Sequence, residues 1–242
     1  MHRNVNSLIA NPMEATDGEM GKVEDFYFDD QVWIIVYLIV KTGNWLSGRK
    51  VLISPVALNK GERRLGTFPV HLTKEQVKDS PDIDTDLPVS RQREIELHQH
   101  YSWERYWEGG FYEGGMWAIV PPPVVEPSPV KAPVGDQHLR STHALSGYHI
   151  ETTDGESGHL RDFIIDDETW HIEYLVIEMH SWLSGKKVLI ARKHIKEVQW
   201  DGSKVLVDVS KYALENSPAY DESAFFYPET LDTVFDNNLH LK

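Results

Sequence analysis

The sequence contains no cysteine in its 242 residues. That excludes disulfides, thiolate metal sites, iron–sulfur clusters and cysteine nucleophiles. It is also poor in positive charge. Against 38 Asp and Glu there are 24 Lys and Arg, a formal −14, of which −5 falls in residues 1–120 and −9 in residues 121–242. With both halves acidic, no basic face is evident in the sequence to neutralise phosphates or to dock on anionic lipid, so neither a nucleic-acid partner nor electrostatic membrane attachment is expected. Long apolar runs are missing too. The longest, Val32–Val40, has nine residues, whereas a membrane-spanning helix needs about 20. The opening Met1-His2-Arg3-Asn4-Val5-Asn6 lacks the apolar core of a signal peptide. These features predict a soluble, cytoplasmic protein with no membrane insertion. What is present, 40% hydrophobic and 26% charged residues, suits a globular chain.

An internal repeat organises the sequence. Thr16-Asp17-Gly18-Glu19 recurs as Thr153-Asp154-Gly155-Glu156, Asp29-Asp30 as Asp166-Asp167, and Trp45-Leu46-Ser47-Gly48 as Trp182-Leu183-Ser184-Gly185. Every pair is offset by 137, and between Thr16 and Ile53 21 of 38 positions are identical. Two copies of one domain follow, residues 7–85 and 144–222. Between them, residues 86–143 carry an aromatic and glycine-rich stretch, Tyr101 to Trp117, and then six prolines in 121–133. Proline fixes φ and favours extended chain, so this second part reads as a semi-rigid spacer. An acidic tail, residues 223–242, ends the chain.

Each copy reads as mainly β. Asp17-Gly18 suits a hairpin turn, Asp29-Asp30 separates two apolar segments, and Lys50–Ile53 and Phe68–Leu72 supply further short strands. Short strands with frequent turns indicate a small barrel or sandwich. Each copy then closes on a short helix, capped by Thr73 with Gln76 at N3 and stopped by Pro81 in the first, capped by Ser210 and stopped by Pro218 in the second. Strict alternation puts Trp33, Ile35 and Tyr37 on one face with their counterparts Trp170, Ile172 and Tyr174. On the opposite face the first copy has Ile34 and Val36, and the second has His171 and Glu173. The first copy's outer face is therefore expected to be covered, either by a partner, a second chain or the other barrel, or by the chain's own segment 86–120.

The run Asp17-Gly18-Glu19, Gly21-Lys22-Val23-Glu24-Asp25-Phe26-Tyr27-Phe28-Asp29-Asp30, Trp33, Tyr37-Leu38 and Trp45-Leu46-Ser47-Gly48-Arg49-Lys50-Val51-Leu52-Ile53-Ser54-Pro55 resembles the PRC-barrel family. Leu72-Thr73-Lys74, Ser80-Pro81 and the aromatic run Tyr101-Ser102-Trp103, Tyr106-Trp107 are similar to that family as well. The family takes its name from the cytoplasmic domain of the photosynthetic reaction centre H subunit, and a related barrel forms one domain of a ribosome-maturation factor. The resemblance implies two small, strongly bent β-barrels acting through protein–protein contact. It carries over no catalytic residue, because the matched positions are turn and core residues. The H subunit carries a membrane helix ahead of its barrel and the maturation factor an RNA-binding domain; residues 1–6 offer no match to either, so a direct reaction-centre role is not expected.

Each candidate chemical site also has a plainer structural role. The repeated carboxylates Asp17, Glu19, Asp25, Asp29 and Asp30, with Asp154, Glu156, Asp162, Asp166 and Asp167, offer hard oxygen ligands for a cation such as calcium. They do not match an EF-hand, and aspartate also starts turns. Among the histidines, His98 and His100 would project to one side of an extended chain, and His138 and His143 are near in sequence. Neither a nucleophile elbow nor a phosphate loop, dinucleotide fingerprint or His-Glu-x-x-His motif is present. No cofactor and no catalysis are expected. Partner binding is assigned to Ile34 and Val36 and to the aromatics Trp103, Tyr106, Trp107 and Trp117, since Trp and Tyr favour interface hot spots. The functional expectation is a non-catalytic protein-interaction or assembly module, binding a protein partner or self-associating. The alternative is a small-ligand or divalent-cation sensor.

Overall fold

Short strands separated by tight turns dominate the chain, as the spacing of its Asp/Gly turns requires. The structure, a computed structural model, describes residues 1–59, 66–81, 89, 91–107, 139–180 and 185–222. In chain order the elements are β1 (His2–Asn4), β2 (Pro12–Ala15), β3 (Gly18–Asp29), β4 (Ile34–Thr42), β5 (Lys50–Ile53), β6 (Phe68–Pro69), α1 (Lys74–Lys78), α2 (Arg91–Tyr101), β7 (Leu139–Ser141), α3 (Thr142–Leu145), β8 (His149–Thr152), β9 (Gly155–Asp166), β10 (Ile172–Met179), β11 (Lys187–Ala191), β12 (Ile195–Gln199), β13 (Lys204–Val207) and α4 (Lys211–Asn216). The fold is mainly β, with two sheets and a few short helices. The described residues fall into two compact units, one within Ala10–Arg140 and one made of Met1–Ile9 with those of Ser141–Lys242.

In the Ala10–Arg140 unit the sheet order is β5-β4-β3-β2-β6, with β7 beside β3. The β2–β3, β3–β4 and β4–β5 ladders are antiparallel, and β2 runs parallel to β6. The β2–β3 loop is Thr16-Asp17, and Gly18 takes φ 125° at the start of β3. The long strand β3 bends where Glu24 falls out of register with β4. At Gly21 an added Cβ would lie 2.2 Å from the Lys41 carbonyl oxygen, so only glycine permits this approach. A second irregularity corrects the face assignment made from alternation. Tyr27 pairs with Tyr37 but Phe28 pairs with Ile35, so Val36 is an extra residue in the ladder. One extra residue reverses the alternation. Tyr37 therefore leaves the Trp33/Ile35 face and joins Val36, Tyr27, Ile39 and Leu52 in a cluster beneath α2. Phe26, Phe28, Ile35, Leu38 and Ile53, all at most 1% exposed, line the other face.

The second unit repeats this plan at the same offset. Its sheet order is β11-β10-β9-β8-β13-β12, with β1 beside β9. The bend recurs at Arg161, the close approach at Gly158 (2.2 Å from the Glu178 carbonyl oxygen), and the extra residue at Glu173. Tyr174 accordingly packs with Ile164, Val176, Leu189 and Ala191. The hairpin loops before β4 and β10 end on Trp33 and Trp170, both in the left-handed region at φ 59° and 63°. Each loop is closed by its tryptophan amide donating to the carbonyl of Asp29 or Asp166, at 2.7 and 2.8 Å. Helices α1 and α4 are capped by Thr73 and Ser210 as the sequence predicts, the first in a reciprocal box with Gln76.

The segment boundaries differ from the repeat boundaries. Residues 1–9 belong with the second repeat, because β1 pairs with Ile164–Asp166 of β9. Part of 86–143 is not a linker: Val89, α2 and the Trp103–Trp107 run pack on the first repeat. The proline spacer 121–133, Trp117 and the tail 223–242 lie outside the described residues. Among the described residues, no helix is long and apolar enough to cross a membrane.

Candidate functional site

The cover over Ile34 and Val36 comes from the chain's own α2 and aromatic run. Val36 is buried, and Ile34 is partly buried against the same cluster with Tyr101, Trp103 and Tyr106. Leu97 and Val89 complete the apolar contact. The driving force is burial of the apolar face that the Val36 bulge enlarges.

Beneath α2 lies a buried polar network. Glu94 is fully buried, and Arg91 Nη1 stands 3.0 Å from its Oε2. The Tyr106 hydroxyl donates to Glu94 Oε1 at 2.8 Å. The Tyr37 hydroxyl lies 2.8 Å from His98 Nε2 and 3.1 Å from Glu94 Oε1. His98 Nδ1 is 2.9 Å from the carbonyl oxygen of Glu104, which can only accept, so Nδ1 carries the proton. Nε2 is then free to accept from Tyr37. Burial lowers the His98 pKa, opposed by its backbone hydrogen bonds, which favours this neutral tautomer. Burial beside the Glu94 carboxylate raises the Tyr37 and Tyr106 phenols above their ordinary values. A buried carboxylate costs several kcal/mol unless its oxygens are matched by donors, and here Arg91 and the Tyr106 hydroxyl face it, while the single Tyr37 proton goes to His98 Nε2. The network fixes α2 on the sheet.

Above this network the aromatics are half-buried. Tyr101 and Trp103 stack at 4.3 Å between centroids, and the Arg91 guanidinium sits 4.3 Å over the Trp107 ring. Trp103, Tyr106 and Trp107 are thus brought together around His98, whereas Ile34 and Val36 lie below them. His98 and His100 do not share a face, because they sit on a helix. His98 points inward, and His100 Nε2 meets the Gln76 carbonyl oxygen at 2.8 Å.

The repeated aspartates hold backbone and arginine groups, in the same way in both units. Asp17 accepts from the Lys74 amide at 2.9 Å and Asp154 from the Lys211 amide at 2.6 Å, tying each hairpin tip to a helix. Asp25 and Asp162 accept from the amides of Phe26 and Phe163. Asp29 accepts from Gln31 and Val32, and Asp166 from Glu168 and Thr169. Asp30 pairs with Arg140 and Asp167 with Arg3. This is turn and cap chemistry.

One further constellation comes together only in the fold. His149, His159 and His180 meet on the second unit with Glu156. Their counterparts in the first copy are Pro12, Lys22 and Gly43. Aligning the copies exposes three histidines gained near the ends of adjacent strands, but their convergence needs the ladder register.

Set against known proteins, the chain shows one family match. No curated protein matches it. Residues 13–72, which run from β2 through β6 to just before the Thr73 cap, match the PRC-barrel domain.

Proposed function

We propose that this protein is a non-catalytic interaction or assembly module, in which the second unit is a further PRC-type barrel domain. Support for the second domain is the recurrence of strands, bend, bulge and helix cap at an offset of 137. The observation that carries the interaction reading is the partly exposed cluster of Arg91, Trp103, Tyr106 and Trp107, held in place by the contacts of Arg91 and Tyr106 with buried Glu94. Tryptophan, tyrosine and arginine are the residues that dominate interface energetics, and a rigid base lowers the entropy lost on binding. The partner is a protein or a second copy of this chain, and the site of action is cytoplasmic.

The test is a pull-down from native lysate with the full chain, read by quantitative mass spectrometry beside Trp103→Ala and Trp107→Ala variants. Circular dichroism melting checks that the variants keep their fold. A stoichiometric protein captured by the wild type and lost from the folded variants supports the reading. Capture unchanged by both substitutions, or none even after crosslinking, overturns it.

A further inference from the structure

The histidine cluster of the second unit is built by strand register. His149 on β8 and His159 on β9 are directly paired. His180 follows β10, and its amide donates to the Ser157 carbonyl at 2.8 Å. Ring centroids of His149 and His159 are 4.6 Å apart, and those of His159 and His180 4.3 Å. Glu156 and His159, three apart, would face opposite ways on a regular strand. The irregularity at Ser157 brings them to one side. Glu156 Oε1 is then 2.9 Å from His149 Nδ1 and 3.5 Å from His180 Nδ1.

This arrangement has a chemical consequence. The Glu156 carboxylate accepts a hydrogen bond from His149 Nδ1–H, which leaves the Nε2 lone pair available. A carboxylate on the far nitrogen is how metal-binding imidazoles are oriented and made more basic. His159 and His180 meet Nε2 to Nε2 at 2.6 Å. Two nitrogens that close need one proton, or one cation, between them. Neighbouring charges are already matched, Lys204 by Glu151 and Arg161 by Glu178.

We propose that His149, His159 and His180 bind a transition-metal ion of zinc type through Nε2, with Glu156 as the positioning carboxylate. Nitrogen donors select such an ion over calcium or magnesium, which take oxygen ligands. Among the described residues no three donors already converge on one point. Tetrahedral Zn–N bonds of about 2.0–2.1 Å place two nitrogens roughly 3.3 Å apart, so the His159–His180 contact must open by roughly 0.7 Å. The His149, His180 and Glu156 side chains are each 42% exposed, which leaves them free to make that adjustment. The first copy, with Pro12, Lys22 and Gly43 at the matching positions, lacks the site.

The test is calorimetric titration of the untagged, metal-stripped full chain with Zn²⁺, with Co²⁺ absorption as a reporter of nitrogen ligation. One saturable equivalent is expected, together with visible cobalt bands and no response to Ca²⁺. Glu156→Gln should weaken binding by about 10- to 100-fold. His159→Gln and His180→Gln should abolish the step, and His71→Gln on the other unit should not change it. His149→Gln, at an exposed position, serves as the ligand deletion if the other two fail to fold. Absence of a saturable equivalent, equal competition by Ca²⁺, or binding unchanged in the folded histidine variants overturns the proposal.

Discussion

Arg140 Nε lies 3.0 Å from Asp30 Oδ2, joining residues 110 positions apart. The equivalent pair in the other unit is Arg3 and Asp167 at 2.8 Å. Each arginine sits on a short strand that precedes one repeat in sequence, β7 or β1, and pairs with the long strand of the other repeat, β3 or β9. Each unit is therefore completed by a segment from outside its own repeat. The pairs are mostly shielded, with side-chain exposures of 11–27%. Arg140→Ala and Arg3→Ala should each cost about 1–3 kcal/mol, since a charge-assisted hydrogen bond is lost and a shielded carboxylate loses a partner. Denaturant midpoints measure this, and no change for either variant would refute the assignment.

At Gly21 and Gly158 the long strands pass too near their neighbours to admit a side chain. An alanine Cβ there would sit 2.2 Å from a carbonyl oxygen, and backbone must shift to admit it. Gly21→Ala and Gly158→Ala should destabilise their units by about 3 kcal/mol. Gly66→Ala meets nothing within 4 Å and pays only for its φ of 85°. Melting temperatures of the three variants should show the first two well below the third.

Tyr37→Phe removes the hydroxyl between His98 and Glu94. The His98 Nε2 acceptor would then be buried without that donor, at a cost of about 1–3 kcal/mol. The expected result is a lower denaturant midpoint with unchanged far-ultraviolet circular dichroism. Tyr212→Phe is the comparison, because Tyr212 is 69% exposed. Equal losses in the two variants would remove the network's claim to hold α2.

The His98 pKa is lowered in the folded protein, first by burial and then by the nearby Arg105 and Arg91 charges. The unfolded chain, with an ordinary histidine value near 6.5, therefore takes up the proton more readily. Stability attributable to this group is complete above that value. It falls as pH drops through the window between the unfolded and the lowered folded value. Urea midpoints at pH 7.5, 6.5 and 5.5 should decline toward acid more steeply in the wild type than in His98→Gln. Parallel curves would show that His98 does not carry the dependence.

Much of the plan follows from local chemistry, which is why it is legible in the sequence. The Asp/Gly turns, the Thr73 and Ser210 caps and the strand positions repeat because turn and cap preferences act over a few residues. The bulges at Val36 and Glu173 were not legible. A single unpaired residue leaves no mark in composition, yet it turns Tyr37 from the expected core face toward Glu94 and His98. Trp33 and Trp170 likewise read as strand residues, although both close loops at positive φ. By itself the sequence determined the repeat, the β character, the acidic charge and the absence of thiol chemistry, all properties of composition and short-range pattern. Only the tertiary structure decided that α2 covers Ile34 and Val36, that Asp30 and Asp167 hold arginines from distant strands, and that three histidines meet. Those contacts depend on register between strands far apart in the chain, which side-chain alternation within one strand does not specify.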